Sequence, residues 1–453
     1  MTIHELVTMQ REAFALNHPY PVEERQESLE RLQTAIQESE KEICQALEKD
    51  LGKCPGEAYM TEIGMVLSEI RCAVTHLQKW AAPKRVRTPL AQFCSKSYIL
   101  KEPYGVVLIM SPWNYPFQLT ISPFVGALAA GNHCILKPSA LSPATSQVID
   151  RLISRCFPPE RAAVILGGRL ENQALLEERF DYIFFTGGVQ VGRLVLEKAA
   201  RYITPVTLEL GGKSPCIVDD SANIPVAARR IAFGKALNSG QTCVAPDYLL
   251  VQERVQGRLL AEIKRCWEEF YGDALSSPQW TRMINEKHYN RVMALMAGEK
   301  IYCGGRGDGQ RIAPTLLTQV SWDAPIMQEE IFGPVLPVIS FERLEDVIPL
   351  INSREKPLAL YLFTRRASAE EMILSRVPFG GGCINDTIIH LASDRLPFGG
   401  VGQSGMGSYH GKKSFDTFTH EKSIVAKRNW PDIPVRYAPF TPKKLALIKK
   451  MMK

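Results

Sequence analysis

Apolar positions recur at helical spacing through the first part of the chain. Across residues 22–50, Leu29, Leu32, Ile36 and Ile43 form one stripe in an otherwise charged segment, which predicts a long amphipathic helix with a solvated face. Residues 64–80 repeat the pattern until Pro83 stops it. The period then disappears, and 84–100 reads as an extended basic and polar stretch leading into strand. Short apolar runs separated by helical segments follow at 105–110, 134–136, 162–166, 182–185 and 206–208. Strand alternating with helix predicts a parallel α/β sheet with ligand loops at the strand C-termini. A second alternating region begins after Gly211, with strands at 248–251, 335–339 and 360–363. No internal repeat or low-complexity run interrupts it. The pattern predicts two α/β domains and an arm.

Composition narrows the class. A chain of 453 residues, 45% hydrophobic and 23% charged, can bury large cores. Its 11 cysteines are scattered, without C-x-x-C or Cys/His ligand spacing, so neither a disulfide framework nor a metal site is expected. The reducing cytoplasm is the expected compartment. The first fourteen residues carry no apolar signal core, and no run approaches the ~18 residues needed to span a bilayer. Of the net charge of +6, five charges belong to Lys443, Lys444, Lys449, Lys450 and Lys453. The body is nearly neutral, so no nucleic-acid partner is expected. Those lysines alternate with Leu445, Leu447, Ile448 and Met451, a pattern open to two readings: a frayed solvated end, or a basic helix in peripheral contact with a membrane or a substrate entrance.

Candidate chemistry concentrates in a few places. Asn238-Ser239-Gly240-Gln241-Thr242-Cys243 sets one cysteine behind small and polar residues, where substrate can reach a thiolate. Glu209 closes an apolar run in Leu208-Glu209-Leu210-Gly211-Gly212-Lys213, and Pro112-Trp113-Asn114-Tyr115-Pro116 holds an amide between two prolines. Nucleophile, acid and amide together point to covalent catalysis at a carbonyl. Thr186-Gly187-Gly188-Val189-Gln190-Val191-Gly192 reads as strand end, glycine pair and helix start, where backbone N–H groups can approach a pyrophosphate. No G-x-G-x-x-G follows the first strand, and a plain β–α turn fits the same residues.

These stretches also carry a family resemblance. Residues 208–213, 234–243 and 328–334 (QEEIFGP) resemble the three marker motifs of the NAD(P)-dependent aldehyde dehydrogenases. Residues 402–415 and 243–248 are similar to the class 3 branch, and the likeness runs from about residue 5 to residue 427 in the family's order. It implies a Rossmann-type coenzyme domain (1–80 and 101–210), an α/β catalytic domain (211–410), an oligomerisation arm and strand (81–100 and 411–430) and a basic tail (431–453). On the resemblance, Cys243 attacks the aldehyde, and the Asn114 amide and Cys243 N–H hold the oxyanion. Glu209 activates the hydrolytic water, with Glu330 as second candidate. The cofactor, NAD or NADP, falls to Pro112, Trp113, Thr186, Gly187, Gly188, Gly192, Leu210 and Gly211. Lys137 takes the adenosine ribose; Glu330 and Phe332 take the nicotinamide ribose.

Two positions depart from the family pattern. Gly188 stands where serine is usual, which removes one hydroxyl contact. Ala140 stands where class 3 relatives usually carry Glu, so repulsion of a 2′-phosphate is lost and both cofactors are expected to serve. Tyr115 and Phe233 flank the catalytic motifs, and Ile388 and Leu391 lie in a segment that resembles a class 3 substrate-channel wall; as a tunnel lining these four imply medium- or long-chain or aromatic aldehydes. The resemblance further implies a homodimer in which the arm pairs with a C-terminal strand (415–427) at the subunit interface. Three alternatives stay open: a coenzyme A-acylating dehydrogenase, a cofactor-free cysteine hydrolase, and a non-catalytic role. His390 and His410 form no local cysteine-protease pattern, and His410 reads as a structural hydrogen-bonding group.

Overall fold

The computed structural model describes residues 1–89 and 92–452. The predicted arm and tail include residues 90, 91 and 453, which lie outside the described residues. Helix Val22–Glu38 buries Leu29, Leu32, Ala35 and Ile36 as the stripe requires. The predicted single helix breaks at Ser39, whose amide bonds back to Ala35 and Ile36. A second helix, Glu40–Leu51, then turns Ile43 and Leu47 into the same core. Gly52, at φ 70°, ends it and delivers Lys53 to the interior.

A six-stranded sheet follows, in the order Gly405–Met406, Val206–Glu209, Tyr182–Thr186, Val106–Met110, His133–Lys137 and Ala162–Val164. Five of its strands are parallel; Gly405–Met406 returns antiparallel beside Glu209. Strand order reverses beside Val106–Met110, so the loops after it and after Tyr182–Thr186 flank a crevice at the strand C-termini. That is the ligand position of an open α/β sheet. A seven-stranded sheet contains Pro215–Val218, Tyr248–Gln252, Val335–Phe341, Ala359–Phe363 and Gly381–Ile384 in parallel pairing. Its edge adds Thr315–Thr318, parallel to Val335–Phe341, and then the antiparallel Lys300–Cys303.

The arm differs from expectation. Ser95–Pro103 pairs antiparallel with both Lys84–Val86 and Thr419–Lys427 inside one chain, so arm and C-terminal strand satisfy each other without a partner subunit. Among the described residues, the outer edge of Thr419–Lys427 is unpaired within the chain. The C-terminal strand also starts later than predicted. Phe415 lies in helix Lys412–Thr417, where it is buried, because Glu69 accepts from the Gly411 amide at 2.6 Å and the Ser414 hydroxyl at 3.1 Å and holds the helix start. The tail helix Pro442–Met451 packs against the turn Pro434–Arg436 and leaves Leu445 and Leu447 exposed. Among the described residues, no helix is long and apolar enough to cross a membrane.

Candidate active site

The segment that carries Cys243 is held in an unusual backbone conformation. Helix Ile224–Ala236 ends, and Asn238 and Ser239 both adopt left-handed φ, 52° and 50°. Such positions cost about 1–3 kcal/mol each and persist only where neighbours enforce them. Here Glu57 accepts from the Asn238 amide at 2.8 Å, and the Asn238 side chain donates to the carbonyls of Asn114 (2.8 Å) and Gln241 (3.2 Å). The Ser239 hydroxyl donates to Thr281 O at 2.7 Å. Gly240, at φ 70°, passes so close to Gly333 that a Cβ would lie 2.3 Å from its carbonyl oxygen. Only glycine fits there. The constraint places Cys243 at a fixed point between two cavities.

The first cavity, about 470 Å³, opens at the end of the six-stranded sheet. It is lined by most of the residues expected to hold the cofactor: Pro112, Trp113, Thr186, Gly187, Gly188, Leu210, Gly211, Glu330 and Phe332, together with Asn114, Glu209 and Cys243. Helix Val189–Ala200 begins at Gly188 without a side-chain cap, a Cβ on Gly188 would meet open space, and the buried Thr186 hydroxyl has no partner. Free donors at a helix N-terminus beside an unpartnered hydroxyl suit a pyrophosphate. Two expected residues lie outside the lining. Gly192 packs on Leu210, and buried Lys137 spends its ammonium on the carbonyls of Pro138 (2.9 Å) and Gly167 (2.7 Å).

The second cavity, about 160 Å³, is lined by Tyr115, Phe233, Ile388 and Leu391, joined by Met60 and Met65. All four residues expected at the substrate are therefore brought together. Ile388 takes φ 64°, a strained conformation for a β-branched residue. Cys243, Leu119, Phe398 and Tyr409 border both cavities.

Electrostatics around the thiol are dominated by burial. Desolvation, reinforced by Glu330 and Glu209, pushes Cys243 up to about 12, while backbone N–H groups at Cys243 and Val244 oppose the rise. Glu209 is buried with both carboxyl oxygens unpartnered, which holds its pKa well above the usual carboxylate range. Burial and the neighbouring Asp247 raise Glu330 to about 8. Its Oε1 is unpartnered, and its Oε2 lies so near Gly211 that a Cβ there would be 2.1 Å away. Two protonatable carboxyls thus flank a thiol reachable from both sides, an arrangement able to move protons during acyl chemistry. The Asn114 side chain donates to Gln241 O at 3.0 Å, which leaves its second N–H free.

Several residues that shape the site have no sequence signature. Lys53 and Glu62 form an ion pair of 2.5 Å with both side chains fully buried. Lys53 also donates to Asn114 O at 3.0 Å and lies 4.0 Å from the centroid of the Tyr115 ring, while Glu62 accepts from the amides of Phe117 and Gln118. This pair fixes the Pro112–Pro116 loop from beneath. Arg291 donates to Glu330 O and Ile331 O, and Asp247 accepts from Ile331 N at 3.0 Å, which clamps the backbone around Glu330. Lys235 is buried with an unpartnered amine, and desolvation lowers it to about 8. Asp247 and Lys235 fell within recognisable motifs, 243–248 and 234–243, but neither was singled out there.

Residues 1–424 match the aldehyde dehydrogenase family. This chain belongs to that family. The dehydrogenase is 51% identical over 421 residues to the 4,4′-diaponeurosporen-aldehyde dehydrogenase of Staphylococcus aureus (strain NCTC 8325 / PS 47), covering 92% of each chain. It is 46% identical to the dimeric NADP-preferring aldehyde dehydrogenase of Canis lupus familiaris, covering 96% of this chain and 98% of the relative. The structure solved for the substrate-bound state of Staphylococcus aureus AldH superposes with a TM-score of 0.98 at 47% identity, with both chains fully covered. These likenesses put the dehydrogenase in the class 3 branch, as an enzyme that oxidises aldehydes to carboxylic acids with NAD(P)+.

Proposed function

We propose that the dehydrogenase oxidises apolar aldehydes of medium or long chain, or aromatic ones, and that Cys243 carries the acyl group. The observation that carries this reading is Cys243 at the wall shared by the larger cavity and the narrow apolar one. The Cys243 sulfur attacks the aldehyde carbon and passes its single proton to a deprotonated carboxylate, that of Glu330 when Glu209 serves as the hydrolytic base. The resulting thiohemiacetal oxyanion takes the free Asn114 N–H and the Cys243 backbone N–H. NAD(P)+, when bound, supplies the hydride acceptor that converts this adduct into a thioester. Thr186, the glycine pair, Leu210 and Gly211 would hold it, with Glu330 and Phe332 at the nicotinamide end. Glu209, with both oxygens free, then takes a proton from the water that hydrolyses the thioester. Glu330 is the second candidate, because it lines the same cavity with its Oε1 unpartnered.

The substrate class rests on the apolar lining and agrees with the staphylococcal relative, named for a diaponeurosporen aldehyde. The coenzyme, catalytic and arm boundaries implied by the resemblance are proposed as well; the three sheets support these, although Gly405–Met406, within 211–410, joins the six-stranded sheet. The unpaired edge of Thr419–Lys427 supports a two-fold homodimer that covers it. The exposed Leu445 and Leu447 beside the tail lysines support at most peripheral contact with an anionic membrane. Eleven free thiols agree with a cytoplasmic protein.

Incubation with decanal or benzaldehyde and NAD or NADP, with and without coenzyme A, tests the reaction. The free acid should form in every case, with kcat/KM for the two cofactors within about a thousandfold, roughly 4 kcal/mol. Acyl-coenzyme A as the product, or acid formed without cofactor from an ester alone, would replace this reading.

A further inference from the structure

A cluster of cationic side chains lies at the end of the six-stranded sheet opposite the active site. Strand His133–Lys137 begins there with His133, and Arg161 stands just before strand Ala162–Val164. Arg161 is 7% exposed, yet neither of its Nη atoms has a hydrogen-bond partner. Its guanidinium lies over the Tyr20 ring, 3.7 Å from the centroid. The Tyr20 hydroxyl is 3.1 Å from Nε2 of His133, a residue 1% exposed whose Nδ1 is also unpartnered. Arg25 joins them from helix Val22–Glu38, with Nη1 donating to Ala129 O and Ala130 O.

Glu23 and Glu24 act on these groups only from a distance. Among the described residues, neither Arg25 nor Arg161 makes an ion pair within 4.0 Å, and the Glu23 and Glu24 side chains belong to exposed residues. Buried charge without a partner is costly, and a guanidinium with both Nη atoms free presents the fork that matches an oxyanion. Burial and the proximity of Arg161 push His133 down to about 4, against the opposing backbone groups of Glu160 and Gln10, so its ring is neutral at physiological pH and keeps one N–H. Gln10 anchors the N-terminal helix Ile3–Asn17 to the same place through Cys134 O and Pro159 O, and its buried Oε1 is unpartnered. That acceptor suits an oxyanion that still carries a proton.

We infer that this end of the molecule binds a small protonated oxyanion, such as hydrogen phosphate, between the Arg161 fork, His133 and Gln10. The anion would neutralise the buried cations and clamp helix Ile3–Asn17 to the sheet. The test is thermal unfolding of the full-length protein at saturating NAD+, which keeps phosphate out of the cofactor cavity, and at constant ionic strength. Inorganic phosphate should raise Tm by at least about 2 °C in a saturable way, and chloride should not. Arg161→Gln should abolish the shift, and Arg161→Lys, which keeps charge but loses the fork, should weaken the phosphate Kd at least tenfold. An equal response to phosphate in Arg161→Gln, or an equal response to chloride in the wild type, overturns the inference. Should Arg161→Gln fail to fold, wild-type crystals soaked with NAD+ in arsenate, which like phosphate keeps a proton near neutral pH, decide it. An anomalous peak between Arg161 and His133 supports the site, and its absence overturns it.

Discussion

The two cavities that meet at Cys243 are built on different terms. The larger one is made of backbone: Gly211 passes against Glu330, Gly188 opens a helix start, and Phe332 sits at φ 49°. At Gly211 a Cβ would meet the Glu330 carboxyl, and at Phe332 the backbone holds a left-handed φ, so these two positions admit few residues, while Gly188 leaves room for a side chain. The apolar cavity is made of side chains, from the π-helical turn Tyr59–Ile63, helix Ile224–Ala236 and the turn Ile389–Ala392. Met60, Phe233 and Leu391 could each be exchanged for another apolar residue without breaking a backbone constraint. The difference teaches where variation is tolerated. Chemistry is fixed by geometry on one side, while substrate preference is tuned by volume on the other.

The sharpest way to break this comparison is at the shared wall. Cys243→Ser should lower turnover on the order of 10⁴-fold or more with every aldehyde, and should remove the burst of reduced cofactor. A substrate-selective loss would mean that Cys243 serves only the apolar side.

Next in size is the carboxyl pair. A base with a raised pKa is active only when deprotonated, so activity should fall as pH drops below the raised value. With Glu330 near 8 and Glu209 also raised, turnover should climb through the alkaline range. Glu209→Gln should cost about 10²–10⁴ in steady-state rate yet keep the burst. Should Glu330→Gln instead burst and stall while Glu209→Gln turns over normally, the role passes to Glu330.

The buried ion pair beneath Asn114 tests whether the rigid side depends on its foundation. Glu62→Gln leaves Lys53 buried and uncompensated, and should cost about 3–5 kcal/mol in denaturant unfolding. Glu268→Gln, which breaks the exposed pair with Lys264, should change stability by less than about 1 kcal/mol. Equal effects would show that burial of the pair is immaterial.

The smallest effect belongs to the apolar side. Each methylene added to a straight-chain aldehyde should raise kcat/KM about fourfold, from about 0.8 kcal/mol per buried CH₂, until the cavity is full. A flat series would place the alkyl chain in water.

Legibility in the sequence followed the same division. Five strands of the first sheet and three of the second were readable because continuous apolar runs have few other uses, and the glycine-bearing loops because backbone constraint leaves fixed residues. Pro215–Val218, Lys300–Cys303, Thr315–Thr318, Gly381–Ile384 and Gly405–Met406 are too short to stand out. The break at Ser39 was not, since the apolar stripe keeps its spacing across it and only the tightened turn redirects the second helix. Lys53 and Glu62 were silent, because two charged residues in a helical region ordinarily mark a solvated face. Lys137 was visible as a residue, but its engagement with Pro138 and Gly167 depends on a loop that sequence does not place. The arm was seen as strand, yet its pairing partner within the same chain is a tertiary fact.

The account turns on Cys243 holding the acyl group while the cofactor occupies the other side. Intact-protein and peptide mass spectrometry of Glu209→Gln, mixed with decanal and NAD+ and quenched within the burst, tests this directly. The account predicts one decanoyl group per active site, on the peptide that contains Cys243, matched by one equivalent of NADH. A full burst of NADH with no acyl group on Cys243, or with the group on another residue, would contradict it.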